Sequence, residues 1–296
     1  MSRRGAVLFA LMGVIWGVPY LMIKVAVEGV SVPVLVFTRC ALATLLLLPL
    51  ALRGGQLAGV RPYWKPIAAF AFLEMILPWY LLADAEQDIS SSMTGLLIAA
   101  SPIITLLVAR LLGSSERLGP ARIAGLGIGL AGVAVLGAPE LRGDNPVAIL
   151  EVLLVAVSYA IAPQIAARKL QNVPSLPMTV ACLIFATVVY APPAVATWPA
   201  TVPSGWVLAA IAGLSVICTA IGFLVFFALL REVGPSRALV FTYLNPAVAV
   251  AAGVLVLGEP LTVSMVAAFV LILAGSVLAT RAGRAQRTVE AAEAAT

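Results

Sequence analysis

Apolar residues run through this chain in blocks of about 20, the length a helix needs to cross about 30 Å of hydrocarbon, with short polar stretches between them. Apolar character is nearly continuous inside each block, and the alternating pattern of a membrane barrel strand is absent. Helices are the expected spanning element, because in lipid every backbone N–H and C=O must be satisfied within its own segment. The blocks predict ten spans, at residues 5–27, 32–51, 66–83, 91–112, 120–138, 147–168, 176–195, 205–230, 238–257 and 263–280. MSRR before the first block resembles the start of a signal peptide. The block is longer than a typical signal core and carries on through Lys24 to Glu28, which predicts a retained first helix. Residues 282–296 have no apolar face to bury and are expected to form a disordered cytoplasmic tail.

Composition agrees with a polytopic membrane protein. With 62% hydrophobic and 10% charged residues, the chain lacks the polar surface that a soluble domain of 296 residues would need. The net charge of +5 does not indicate nucleic acid, because the basic residues are scattered at span ends instead of forming a patch with aromatics. Placing the N-terminus inside puts fifteen of the eighteen Lys and Arg residues on cytoplasmic loops and tails. The positive-inside rule then predicts a multi-pass protein of the plasma (inner) membrane with both termini cytoplasmic. Asp84, Glu86 and Asp88 fall in an expected acidic outer loop. Cys40, Cys182 and Cys218 lie inside expected spans and read as small apolar residues, not a disulfide framework. No histidine is present, and no metal-binding spacing or cofactor motif stands out. The GxGxxG of Gly127–Gly132 has no preceding strand. Gly125, Gly129 and Gly132 form a small-residue face suited to close helix packing in lipid.

An internal repeat organises the chain. Four prolines recur 144 residues later: Pro19 with Pro163, Pro33 with Pro177, Pro49 with Pro193 and Pro102 with Pro246. The same offset pairs Pro78 with Gly222, and a one-residue slip pairs Glu116 with Glu259 and Gly132 with Gly275. Five helices per copy is an odd number, so the second copy would enter the membrane from the opposite side, giving two inverted five-helix repeats. The expected units are residues 1–140 and 141–281, followed by the tail. Interrupted helices at matched positions of such repeats point to a transport site. Pro19, Pro78, Pro102, Pro163 and Pro246 are the expected hinges or kinks, each removing an N–H from the helix ladder.

Charges inside the spans are the chemical anomalies. Glu74 lies almost midway along the third block, and Pro78 four residues later would leave its carbonyl without the usual donor. Arg39 lies inside the second block, about 7 Å from Glu74 along the membrane normal by rise per residue. The offset maps Glu74 to Cys218 and Arg39 to Leu183, so neither charge is duplicated. Two readings stand: a buried ion pair that specifies packing, or a cavity carboxylate that binds a proton or a cationic group in turn, tuned by Arg39. Lys24 can snorkel outward from near its helix end.

Ile15-Trp16-Gly17 in the first helix, Arg39 in the second, the Pro-centred helices and Leu257-Gly258-Glu259-Pro260-Leu261 resemble the EamA-type transporters of the drug/metabolite transporter superfamily. The likeness spans about residues 5–280; the first copy of the last element is altered to Leu112-Gly113-Ser114-Ser115-Glu116. The resemblance implies an all-α secondary transporter that exports small organic metabolites such as amino acids or drug-like compounds. It implies a central cavity between helices 1, 3, 4, 6, 8 and 9, with helices 5 and 10 peripheral. Candidate substrate contacts are Trp16, Tyr20, Glu74, Tyr80, Tyr159, Tyr243 and Asn245, with Glu74 and Arg39 for proton or cation coupling. The partners implied are a small-molecule substrate, protons and membrane lipid, with no cofactor and no nucleic acid. An importer of the same fold is an alternative. A membrane-embedded enzyme is another, with Asp84, Glu86 and Asp88 as its only candidate acids; a partner-binding scaffold lacks a long loop or soluble domain to support it.

Overall fold

The computed structural model describes residues 2–55, 57–111, 119–142, 146–234 and 238–293. Glu116, within the altered first copy of the Leu-Gly-Glu element, lies outside the described residues. The described chain is all helix, without strands. Eight helical stretches are long and apolar enough to cross a membrane, and Ile123–Leu136 and Val263–Leu278 are shorter apolar helices. This is the architecture of a polytopic membrane protein.

The first membrane stretch is two helices, α1 (Arg3–Ile15) and α2 (Pro19–Val27). Proline is tolerated at the first position of α2, where its missing N–H is not needed. Gly17 in the break packs so closely on Val248 that a Cβ would approach it to 2.5 Å, so Trp-Gly is a packing requirement. The continuous helix α3 (Val32–Arg53) follows. A short 3-10 segment, Leu57–Tyr63, leads into α4 (Trp64–Ala71), a π-helical turn (Phe72–Ile76) and α5 (Leu77–Asp88). Here the expectation needs correcting: Asp84, Glu86 and Asp88 belong to the last turns of α5, not to a loop. The fourth stretch is α6 (Ser91–Ile98) and α7 (Ser101–Leu111), broken at Ala99 and Ala100 just before Pro102.

The next helices are α8 (Pro120–Arg142), α9 (Pro146–Lys169) and α10 (Ser175–Ala196). Pro163 sits inside an unbroken α9, whereas Pro19 marks a break. The residues before Pro163 are Ala160, Ile161 and Ala162, with no glycine to release the turn. α11 (Gly205–Ala212) runs through a second π-helical stretch (Gly213–Ile221) into α12 (Gly222–Val233). A 3-10 turn, Leu239–Tyr243, then leads to α13 (Asn245–Leu257), with Pro246 in its first turn. The last helix, α14 (Val263–Glu293), runs on to Glu293, so the described part of the stretch expected to be a disordered tail, residues 282–293, is helical.

α8 and α14 pack most extensively on each other. Their crossing is built on glycine: a Cβ on Gly275 would meet the Gly129 backbone nitrogen at 2.4 Å and the Gly125 carbonyl at 2.6 Å. Ile272 and Leu271 close on Gly132 in the same way. The GxGxxG therefore serves backbone contact between helices.

Candidate functional site

Deep in the bundle, α2, α3, α5, α9 and the second π stretch bring polar side chains together. Arg39 on α3 is only 7% exposed. Its Nε donates to Thr219 Oγ1 at 2.9 Å, and its guanidinium lies 3.7 Å from the centre of the Trp79 ring. Thr219 in turn donates to the Leu214 carbonyl at 2.7 Å, so its oxygen is oriented to accept from Arg39. Among the described residues these are the guanidinium's partners, and Glu74 is not one of them. Glu74 is half-buried inside the first π turn, where Tyr159 of α9 and Cys182 of α10 lie within range of its charge. Tyr159 also lies within range of Arg39 and Tyr20, and beside the Trp79 indole. Tyr20, Arg39, Trp79, Tyr159 and Glu74 thus form one polar and aromatic chain through an apolar bundle.

The two π turns carry the local geometry. The first ends at Ile76 beside Pro78, the second at Ile221 beside Gly222, which are the positions the 144-residue offset aligns. Each accepts a hydrogen bond from an aromatic side chain of another helix: Tyr190 Oη donates to the Ile76 carbonyl at 2.8 Å, and Trp16 Nε1 to the Cys218 carbonyl at 3.1 Å. A regular helix with Pro78 would leave the Glu74 carbonyl as the spare one. Over Phe72–Ile76 the turn is widened, with the Leu77 N–H reaching back to the Phe72 carbonyl, and the Ile76 carbonyl receives the side-chain donor. Single π turns inside α-helices often mark functional sites.

The remaining candidates are spread more widely. Trp16 packs against Phe223, Phe226 and Phe241 with ring centres 5.7, 5.0 and 5.5 Å away, and its indole presses on Gly222. Tyr80 stacks on Tyr190 at 6.3 Å. Tyr243 Oη reaches the Ser276 carbonyl at 3.5 Å, toward α14. Asn245 Oδ1 is buried without a hydrogen-bond partner among the described residues. At the α6–α7 break, the Ile98 carbonyl that Pro102 frees accepts from Ser101 Oγ at 2.6 Å. Cys40, Cys182 and Cys218 are free and buried. Among the described residues no three His, Cys, Asp or Glu side chains cluster to hold a metal ion.

The sequence model of the EamA-like transporter family matches residues 3–138 and again 146–281. The chain belongs to the EamA-like transporter family. It is 28% identical over 257 residues to the uncharacterized inner membrane transporter YedA of Escherichia coli, covering 86% of this chain and 83% of that protein. It is 27% identical over 293 residues to the uncharacterized transporter YvbV of Bacillus subtilis, covering 97% of this chain and 94% of that one. An uncharacterized transporter of Archaeoglobus fulgidus is 24% identical over 282 residues. A crystal structure of a protein shares the fold at a TM-score of 0.64 and 21% identity, over 95% of this chain and 98% of that one. These relationships point to a transporter, not an enzyme.

Sequence reasoning missed several residues of this EamA-like chain. Trp79, Thr219 and Tyr190 look like ordinary apolar or small residues of a span, and only their neighbours on other helices give them a role. Glu259 of the Leu-Gly-Glu-Pro-Leu element was visible as a motif, but its target was not. Its Oε1 accepts from the Ser91 backbone N–H and Oγ at 2.8 Å each, and its Oε2 from the Ser92 N–H at 3.0 Å and from Ser92 Oγ. The carboxylate therefore caps the N-terminus of α6, where helix N–H groups lack intrahelical partners. Lys24 does not simply snorkel outward: its Nζ donates to the Glu86 and Ile89 carbonyls at 2.5 and 3.0 Å, closing the C-terminal end of α5.

Proposed function

We propose that this EamA-like protein is a secondary transporter of the plasma membrane that exports small organic metabolites, such as amino acids or drug-like compounds, by alternating access of two inverted five-helix repeats. Both termini lie in the cytoplasm on this reading. The observation that carries it is the chain of Tyr20, Arg39, Trp79, Tyr159 and Glu74, drawn from both matched halves together with Thr219, its members buried or half-buried where lipid-facing helices have no use for polarity. The π turns at repeat-related positions and the double family match support the repeat. Glu74, half-buried and held by no ion pair among the described residues, is the group we assign to a cationic moiety or proton. Arg39, held by Thr219 and Trp79, sets the positive side of the same site.

The deciding experiment compares metabolites inside and outside cells with and without the protein. Export predicts at least one compound enriched outside when the protein is present. Enrichment inside would reverse the direction, and no reproducible difference for any compound would sink the exporter reading.

A further inference from the structure

Glu86, in the last turn of α5, is fully buried, and neither carboxylate oxygen has a hydrogen-bond partner among the described residues. Nothing in the proposed substrate path uses it. Lys24, a cation within range of Glu86, is directed to the main chain: its Nζ binds the carbonyls of Glu86, Ile89 and, at 3.5 Å, Gln87. Glu259 brings a second negative charge within range of Glu86 while its own oxygens are taken up by Ser91 and Ser92. Tyr20 of α2 also lies within range. Three other charged groups on elements packed against α5 have neighbours of their own. Arg39 of α3 meets Thr219 and Trp79, Glu74 lies by Tyr159 and Cys182, and Glu151 of α9 lies by Asp84 and Asp88. A buried anion without a donor, beside another anion, is strongly disfavoured. This arrangement accommodates Glu86 as a neutral acid.

We propose that Glu86 is a proton-binding gate residue at the seam where Lys24 closes α5 and Glu259 caps α6. In the closed arrangement Glu86 holds a proton on its carboxyl group. Loss of that proton to water leaves a carboxylate, and the Lys24 ammonium turns from the three carbonyls to pair with it. The last turn of α5 is thereby released, and the seam with α6 loosens. One proton is bound in the closed form and none in the open form, so rising pH favours opening. The purpose of such a gate rests on the alternating-access reading, but its operation does not depend on any substrate.

The test uses the full chain in lipid nanodiscs and follows amide hydrogen exchange of residues 86–95, comparing wild type with Glu86→Gln at the same pH. At acidic pH the two exchange alike. As pH rises, wild-type exchange in this stretch outpaces the variant by up to about tenfold per pH unit through the titration, while the crossing of α8 and α14 is unaffected. Lys24→Met abolishes the pH response. Infrared spectra of wild type minus Glu86→Gln show a protonated carboxyl band that disappears over the same pH interval. Equal exchange in wild type and Glu86→Gln at every pH, or no such carboxyl band, overturns the proposal. If Glu86→Gln does not fold, Glu86→Asp keeps a titratable acid, and the exchange transition must then move along the pH axis relative to wild type; an unmoved transition overturns the proposal as well. Failure of the metabolite comparison would leave these readouts intact.

Discussion

Arg39 is buried and tied to a hydroxyl and an indole instead of an acid. A guanidinium suits this position because its planar face stacks on Trp79 while its Nε–H points along a fixed line to Thr219. Arg39→Lys should therefore be costly although it keeps the charge. The stacked face is worth about 2 kcal/mol when desolvated, and a charged hydrogen bond about 1.5–3 kcal/mol. Thermal unfolding in detergent should show a clear loss of stability for Arg39→Lys. A double-mutant cycle with Thr219→Val should return a coupling of about 1 kcal/mol or more; additive effects would mean that the hydrogen bond contributes nothing. Glu74 is a different case, since no ion pair holds it among the described residues. Glu74→Gln should leave the unfolding temperature nearly unchanged yet lower transport in reconstituted vesicles by about tenfold or more, as expected for an intramembrane acid kept for function. Normal transport by this variant would remove Glu74 from the site.

Helix ends and crossings decide much of what the elements do. α6 begins with Ser90 as its N-cap, whose hydroxyl accepts from the Met93 N–H at 3.2 Å, and with Glu259 taking the N–H groups of Ser91 and Ser92. Replacing a capping side chain by alanine costs about 0.5–2 kcal/mol. Glu259→Ala should thus speed amide exchange at Ser91 and Ser92 at constant pH while α8 keeps its protection. The crossing of α8 and α14 makes a steric prediction instead. A Cβ on Gly275 would fall 2.4 Å from the backbone nitrogen of Gly129, and backbone cannot rotate away as a side-chain tip can. Gly275→Val should separate the two helices, and lower yield of folded protein on size-exclusion chromatography would register it. Gly127, with nothing among the described residues within 4 Å of an added Cβ, should accept alanine without loss.

At the scale of the whole molecule, the orientation reading predicts that cysteines placed at either terminus are shielded from a membrane-impermeant reagent in intact cells, whereas one in the 143–145 connection is labelled. Labelling at both termini would invert the topology. The sequence by itself determined the helical class, the approximate limits of the apolar stretches, the membrane setting and the family, because a hydrocarbon solvent imposes length and polarity rules on each segment separately. Prolines marked where three stretches break, at Pro19, Pro102 and Pro246, since a missing N–H is a local fact. It also exposed Arg39 and Glu74 as anomalies, which needs nothing beyond knowing that they lie in spans. Tertiary structure alone decided what those anomalies meet. Arg39 goes to a threonine 180 residues away, and the helix before Pro78 takes a π turn bonded by Tyr190 instead of a simple kink. Glu86 moves from an acidic loop to a buried helix end. Each of these outcomes depends on which donors and rings neighbouring helices present at a given depth. Hydropathy fixes only depth, so the partners of a buried charge are settled by packing.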